Sequence, residues 1–493
     1  MNDINPNNQA SASESSHQSE SQAQEVTLQP IKKKGLFSFL GKSNPPNTSS
    51  NPGVVAQQKI KKGPPVLLLV VIVLVLILGG LLAVLLARGG GDEYVEPTDT
   101  EGEVVWWGFE DSEIYQPLIE EFEENNPNRK VIYQQQSTEN YRERLTNPLA
   151  SGKGPDMFTF HNSWVPSFRS ELDRIPSFVM SPEEFSEIYY PVAVADLETS
   201  EGIVGLPLEY DGLALYINED IFTTAGKTPP ETWDEIKSLA RELTQRNDRG
   251  TIIQSGAALG HTENIDHWQE IIAFMMFQNH GTPSNPGSNE SRDALSYYRQ
   301  FKTDLIWNQT LPPSTIAFGN GDVAMYFGTV ESASAILERN PNLRFRTVTL
   351  PQLRRNDPTE PDISYASYWV QGVWKRSENR GVAWSFLEFM SRRDSLNKIY
   401  ENAERVKLIG DPYPRRDMAS LIQSDRMSGS VIALAPNARS WYLADKTYDG
   451  ESGINSQFDA IYERVINGGD LSNLGKITTE IRTLLARYGL LNN

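Results

Sequence analysis

Cysteine is absent from all 493 residues. Disulfides, cysteine-ligated zinc and a cysteine nucleophile are thereby excluded, as is the lipid-modified N-terminal cysteine that tethers many bacterial surface proteins. Phosphate loops of the GxxxxGK(S/T) type, HExxH zinc motifs and GxSxG elbows are missing as well. Basic charge is scarce beyond residue 88, where 37 Lys and Arg stand against 60 Asp and Glu, a balance of about −23. Without a basic face to neutralise phosphates, no nucleic-acid partner is expected. The same balance disfavours strongly anionic ligands unless a local basic pocket overrides the average.

One long apolar run is present, Val66–Ala87, 22 residues without a charge. At 1.5 Å rise per residue it reaches about 33 Å, enough for a hydrocarbon core of about 30 Å. Pro64 and Pro65 sit where a helix can start. The run lies too deep in the chain for an ordinary signal peptide, so residues 65–88 are expected to form a transmembrane helix in contact with membrane lipid. Lys32, Lys33, Lys34, Lys42, Lys59, Lys61 and Lys62 precede it, whereas Asp92, Glu93, Glu96, Asp99, Glu101 and Glu103 follow. Positive charge stays inside, which orients residues 1–64 to the cytoplasm and 89–493 outward. Ile31–Lys42, mixing lysines with Leu36, Phe37, Phe39 and Leu40, reads equally as a segment on the anionic inner leaflet or a basic linker.

Composition divides the rest. Residues 1–64 are rich in Ser, Asn, Gln and Pro and are expected to be a disordered tail. Residues 89–102 read as an acidic, Gly-containing linker. Residues 103–493 have abundant aromatics and repeated element signals, enough for two lobes. Glu103–Phe109 predicts a buried strand. Ile114, Leu118, Ile119 and Phe122 predict a helix ended by Asn125-Asn126-Pro127, and Val131–Tyr133 a second strand. Strand, helix and strand with short joins imply a parallel sheet and an α/β class. Thr232 and Glu235 have capping-box spacing ahead of Trp233, Ile236, Leu239 and Leu243. Val382, Phe386, Phe389 and Met390 mark a later core-facing helix.

Six ordered signatures resemble the extracellular solute-binding proteins of ABC importers, in the sugar-binding group typified by maltose-binding protein. After the opening strand and helix, Leu149-Ala150-Ser151-Gly152-Lys153-Gly154-Pro155-Asp156 resembles that family's LASGxGPD segment. Gly202–Pro207 through Leu215–Asn218 is similar to its passage from first to second lobe, and Pro229–Glu235 to its PPxTWDE helix start. Phe318–Met325 resembles its FxxGxxAM turn, and Ala383–Phe389 its late AWxFLxF helix. The resemblance covers residues 103–390 and implies a two-lobed, type II periplasmic-binding-protein-like fold. Its hinge crossings are implied near Tyr210–Leu213, Thr347–Pro351 and Lys407–Pro412. Lobe 1 would comprise about 103–210 and 352–406, and lobe 2 about 214–347 and 412–493. The spanning helix and long inner tail depart from the family's usual tether.

A ligand between such lobes meets loops at the carboxyl ends of strands. A neutral sugar needs aromatic faces for its C–H surfaces and carboxylates or amides for its hydroxyls, since an unpaired buried hydroxyl costs about 1–3 kcal/mol. The matching loops offer Trp107, Glu110 and Asp111 after the first strand, with Trp107 as plain core the alternative. By the resemblance, Phe160, Asn162 and Trp164 provide aromatic and polar contacts, while His161 reads as a solvated or hydrogen-bonded histidine. Tyr210 and Asp211 lie at the crossing, where hinge hydrogen bonding is the alternative for Asp211. Trp268 or the neighbouring His267 is weighed against core packing. Tyr326 and Glu331 follow the later strand, with Glu331 standing where many relatives carry tryptophan. Tyr368 and Trp369 alternate, so only one points inward. Trp441 is a candidate stacking platform. No catalytic residue, metal or cofactor is expected.

The implied function is a membrane-anchored extracytoplasmic receptor that binds a carbohydrate, best guessed an oligosaccharide, and delivers it to ABC permease subunits. One alternative is a sensor signalling through the cytoplasmic tail. Another is a polysaccharide hydrolase using Glu110 and Asp111 as an acid/base pair.

Overall fold

The computed structural model describes residues 94–354, 357, 359–468 and 470–491. The tail, the expected transmembrane helix 65–88 and residues 89–93 of the linker lie outside the described residues. Among the described residues no helix is long and apolar enough to cross a membrane.

Strand β1 (Gly102–Gly108) alternates, with Val104, Trp106 and Gly108 buried and Val105 and Trp107 half-buried. Helix α1 (Ser112–Asn125) follows, burying Ile114, Leu118, Ile119 and Phe122. β2 (Arg129–Gln135) runs parallel to β1 over its whole length, and β3 (Met157–His161) is parallel on the other side. After α2 (Pro191–Leu197) the chain passes into a second sheet at β4 (Ala214–Asn218). There α3 (Trp233–Leu243) starts from the Thr232–Glu235 capping box, with both reciprocal bonds formed. α4 (Trp268–Gln278), β5 (Met325–Gly328), α5 (Ser332–Arg339) and β6 (Phe345–Val348) complete this part. β7 (Ser364–Tyr365) pairs in parallel with Ala438–Arg439, and β8 (Trp369–Val373) returns to the first sheet, followed by α6 (Arg380–Met390) and α7 (Arg393–Lys407). β9 (Ala438–Arg439) and α8 (Ile454–Gly468) come last.

The first sheet has the order β8-β3-β1-β2 and the second β6-β4-β5. The expected parallel sheet holds for β1, β2 and β3. β8 is antiparallel because it enters beside His161, at the carboxyl ends of the parallel strands, on its way back from the second sheet. The second sheet is antiparallel throughout these three strands.

The connections between the sheets lie side by side. Tyr210 donates its backbone N–H to Pro412 O at 2.8 Å, Leu213 to Tyr365 O at 2.9 Å, and Ser367 to Asp211 O at 3.0 Å. Two boundaries differ from expectation. Gln352 and Ile363 stay with the second lobe, because Gln278 of α4 bonds Pro351 O and Gln352, and Gln352 bonds Ile363 O at 3.0 Å. The second crossing is therefore at 364–367 and not at Thr347–Pro351. Residues 413–418 remain on the first lobe, through the Tyr189–Arg415 bridge and the Arg393–Asp417 ion pair at 2.8 Å. The chain rejoins β6 at Arg426 and Met427, where Arg426 donates to Phe345 O at 2.9 Å and Thr347 Oγ1 donates to Met427 O at 2.7 Å. Both stretches are charged and aperiodic, so no pattern marks their side.

Part of the expected linker also belongs to the domain. Glu96 accepts from Ser177 N at 3.1 Å, and Arg174 lies 3.7 Å over the Tyr94 ring. Asp99 accepts from Gly381 N at 2.7 Å and Val382 N at 2.9 Å, the second and third amides of α6. Asn379, the residue ahead of α6, makes no side-chain cap of its own, so Asp99 supplies the cap from outside. Asp99→Ala is expected to lower the unfolding free energy by about 1 kcal/mol, read as a lowered denaturant midpoint at unchanged slope.

Candidate interlobe site

The carboxyl ends of β1 and β3 and the start of β8 converge beside the crossings. Trp369 packs edge-on against Phe109 at 4.6 Å, His161 at 5.0 Å and Trp164 at 5.7 Å. Trp369 is half-buried while its neighbour Tyr368 is buried on the other side, packed on Tyr210, as alternation requires. Trp164 is 1% exposed, lies under Arg142 at 5.2 Å, and donates Nε1 to Thr447 Oγ1 at 2.8 Å. It is thereby a contact between the lobes, with little open face. His161 is buried, its ring nitrogens 2.8 Å from Ser163 Oγ and 3.1 Å from Ser367 Oγ, and burial lowers its pKa.

Beside this aromatic group is a cavity of about 810 Å³. Asn162, Arg169 and Asp196 line it from the first lobe; Ser440, Trp441 and Tyr442 line it from the last segment. Trp441 packs on Phe458 of α8 at 4.9 Å, and Tyr462 of α8 donates to Pro283 O at 2.6 Å, which ties that wall to the second lobe. Asp196 accepts from Asn162 Nδ2 at 2.8 Å, from Tyr368 OH at 3.0 Å, and from the Ser440 hydroxyl. Burial nonetheless pushes its carboxyl up to about 6, against those bonds. Asn162 and Trp441, both expected from the sequence, meet here.

A second group of expected residues meets at the hinge. Lys407 Nζ lies 2.8 Å from Glu110 and 2.9 Å from Asp411, and carboxylate oxygens of Glu110, Glu209 and Asp411 all lie within 4.8 Å of one another. Burial, with Asp411 beside it, pushes Glu110 up to about 7 despite Lys407. Burial raises Glu209 well above the ordinary carboxylate range. Burial opposes the charge on Lys407, but Asp411, Glu110 and Glu209 together outweigh it and raise its pKa. These three carboxylates are close enough to share a cation, and the Lys407 ammonium already occupies that role. Asp211, 8% exposed, accepts from Val330 N at 2.8 Å and Glu331 N at 3.0 Å, fastening the first crossing to the turn before α5. Burial pushes its carboxyl up to about 7. Hinge bonding is thus what Asp211 does in this structure. The Glu331 side chain is exposed.

The remaining expected residues lie elsewhere. Trp107 donates Nε1 to Gln134 on the adjacent strand at 2.9 Å. Asp111 caps α1 by accepting from Glu113 N at 2.9 Å. Phe160 is fully buried between Phe158, Val370 and Gly372. Trp268 is 5% exposed at the start of α4. Tyr210 is 2% exposed against Tyr190 and Tyr368. Tyr326 is buried with its hydroxyl 2.7 Å from Thr315 Oγ1. For these, strand pairing, capping or core packing accounts for the side chain. Lys407, Glu209, Asp411 and Asp196 carried no sequence motif; the crossing near Lys407–Pro412 pointed to Lys407 and Asp411, and Glu209 adjoins the crossing at Tyr210–Leu213.

The sequence model of the family described as "Bacterial extracellular solute-binding protein" matches residues 106–395. A putative binding protein of Brucella abortus is 24% identical over 307 residues, 58% of this chain and 71% of that protein. A maltotriose-binding protein of Pyrococcus abyssi is 23% identical over 149 residues, 29% of this chain and 31% of its own. Among solved structures, an ABC transporter solute-binding protein of Thermotoga lettingae bound with α-D-tagatose superposes with a TM-score of 0.62 at 20% identity, covering 78% of this chain and 100% of the other. The sugar-binding protein MalE of Xanthomonas citri gives 0.62 at 18% identity, covering 78% and 98%.

Proposed function

The chain belongs to the bacterial extracellular solute-binding protein family, and on that premise we propose that its outer domain captures a carbohydrate between the lobes. One observation carries the reading: the 810 Å³ cavity is lined from both lobes by the two kinds of group a sugar needs. Trp441 and Tyr442 offer aromatic faces, while Asn162, Ser440 and Arg169 offer hydrogen-bond partners. A ligand touching both walls favours the closed arrangement over one in which the walls separate, which is how binding drives lobe closure. The relatives that bind maltotriose and tagatose support a sugar as the solute. No chemical step is required; the closed receptor docks on an ABC permease and releases its solute there. The anchor 65–88 holds this domain outside the cytoplasmic membrane.

Isothermal titration of the full chain in detergent against mono- and oligosaccharides tests the reading. A bound sugar at 100 times its Kd stabilises the domain by about 2.7 kcal/mol, several degrees in Tm. Trp441→Ala is expected to weaken sugar binding about tenfold by removing one stacking face. An unchanged affinity would move the site away from this cavity.

A further inference from the structure

Among the described residues Arg142 is the only arginine or lysine that is buried. It stands at the start of the helix Tyr141–Ser151 of the first lobe and reaches across to the second. Nη1 donates to Asn455 Oδ1 of α8 at 3.1 Å, Asp449 lies 3.9 Å away, and Nη2 donates to Ser167 Oγ of its own lobe at 3.1 Å. Its guanidinium covers Trp164, which donates to Thr447 Oγ1 across the same gap. Asp445, buried, closes the circuit by accepting from Asn455 Nδ2 at 2.9 Å and Thr447 N at 2.7 Å. Two first-lobe side chains, Arg142 and Trp164, thus share one ring of contacts with Thr447, Asp445 and Asn455. α8 is fastened to the second lobe by Tyr462 on Pro283 and by Gln269 Nε2 donating to Asp459 at 2.9 Å. Parting the lobes therefore breaks the ring.

The contact is also narrow. On one side lies the 810 Å³ cavity, and on the other a cavity of about 550 Å³ lined by Glu143 and Ala150 of the first lobe and Ser452 and Tyr488 of the second. Pro166 lines both, so the ring stands on the partition between two gaps. Burial works against the charge on Arg142, with Asp445 and Asp449 opposing that effect. Opening would rehydrate the guanidinium while stripping it of Asn455 and both carboxylates, so the balance between open and closed turns on this side chain. The segment that carries the ring begins just past Trp441 and Tyr442, the aromatic wall of the proposed site.

We propose that Arg142 is a positioning residue for lobe closure: with Asp445, Thr447 and Asn455 it forms a latch that holds the lobes together before any solute arrives. This rests on the interlobe reading above and assigns part of closure to the protein's own contacts. The solute then need not supply the whole of closure, and its apparent affinity is not diluted by a large open population.

The test needs no ligand. The chain has no cysteine, so spin labels on Lys153→Cys of the first lobe and Lys476→Cys of the second report the interlobe distance alone, in the full chain in detergent. Without sugar, one narrow distribution is expected. Arg142→Ala is expected to shift most of the population to longer distances, and Thr447→Val, which removes the acceptor of Trp164, to shift part of it. Arg142→Lys should fall between wild type and Arg142→Ala, because an ammonium keeps the charge but not the fork that spans Asn455 and Ser167. A second pair inside the first lobe, Lys153→Cys with Glu183→Cys, is expected to keep its distance throughout, which separates opening from unfolding. Should Arg142→Ala disturb that pair, Thr447→Val decides. A wild-type chain as broad and long without sugar as Arg142→Ala, or wild-type distances in both Arg142→Ala and Thr447→Val, overturns the latch and leaves the carbohydrate reading standing. Failure of every sugar to bind in the titration above overturns that reading and leaves these distances as they are.

Discussion

Lys407→Met is expected to lower the unfolding free energy by about 3–5 kcal/mol at pH 8, and by much less at pH 5. The lysine is the cation among Glu110, Glu209 and Asp411, with Glu331 close enough to raise Glu110 further. Removing it at pH 8 leaves partly buried carboxylates facing one another uncompensated. At pH 5 Glu110 and Glu209 take up protons, and most of the repulsion disappears. The pH dependence of the unaltered protein has the same origin. Glu110 rises from 4.5 to about 7 and Asp211 from 3.8 to about 7 on folding. A carboxyl raised in the folded state holds its proton more tightly there, so folding is favoured while it is protonated. That contribution is complete below the unfolded values and is lost as pH climbs through about 7. Denaturant midpoints are therefore expected to fall between pH 5 and pH 8, and to fall more steeply in Lys407→Met. A variant equally destabilised at both pH values would show that Lys407 acts through packing alone.

Asp211→Ala is expected to cost about 2–4 kcal/mol, because the backbone N–H groups of Val330 and Glu331 lose their acceptor in a buried place. Asp211→Asn keeps one acceptor oxygen and should recover part of the loss. The same bonds tie the first crossing to α5, so the alanine variant is also expected to loosen the hinge. Faster amide exchange at Val330 and Glu331, with the core of β1 unaffected, reports that local effect. Equal exchange at both amides in wild type and variant would show that the carboxylate is dispensable there.

Where periodicity or capping was strong, the chain was legible. The β1–α1–β2 unit, the Thr232 capping box and the helix through Phe386 follow from local patterns that tertiary packing had no reason to override. The sides taken by Gln352, Ile363 and residues 413–418 were not legible, since an irregular stretch joins whichever lobe offers it partners. Site residues divide similarly. Asn162 and Trp441 reach a shared cavity, whereas Phe160 and Tyr326 sit on short, wholly buried strands whose patterns give no sign of which face meets a cleft. Asp111 was ambiguous because a carboxylate ahead of a helix serves equally as cap or ligand. The role of Lys407 was not legible because Glu110 and Glu209 join it and its neighbour Asp411 from distant parts of the chain, a proximity created only by the fold.

The docking of Tyr94, Glu96 and Asp99 has a mechanical consequence. All three grip the first lobe, through Arg174, Ser177 and the start of α6. Any pull on the chain ahead of residue 94 is therefore delivered to that lobe alone. Load arriving along the chain enters on one side of the crossings at 210–213 and 364–367, and the strands that join the two sheets lie outside its path.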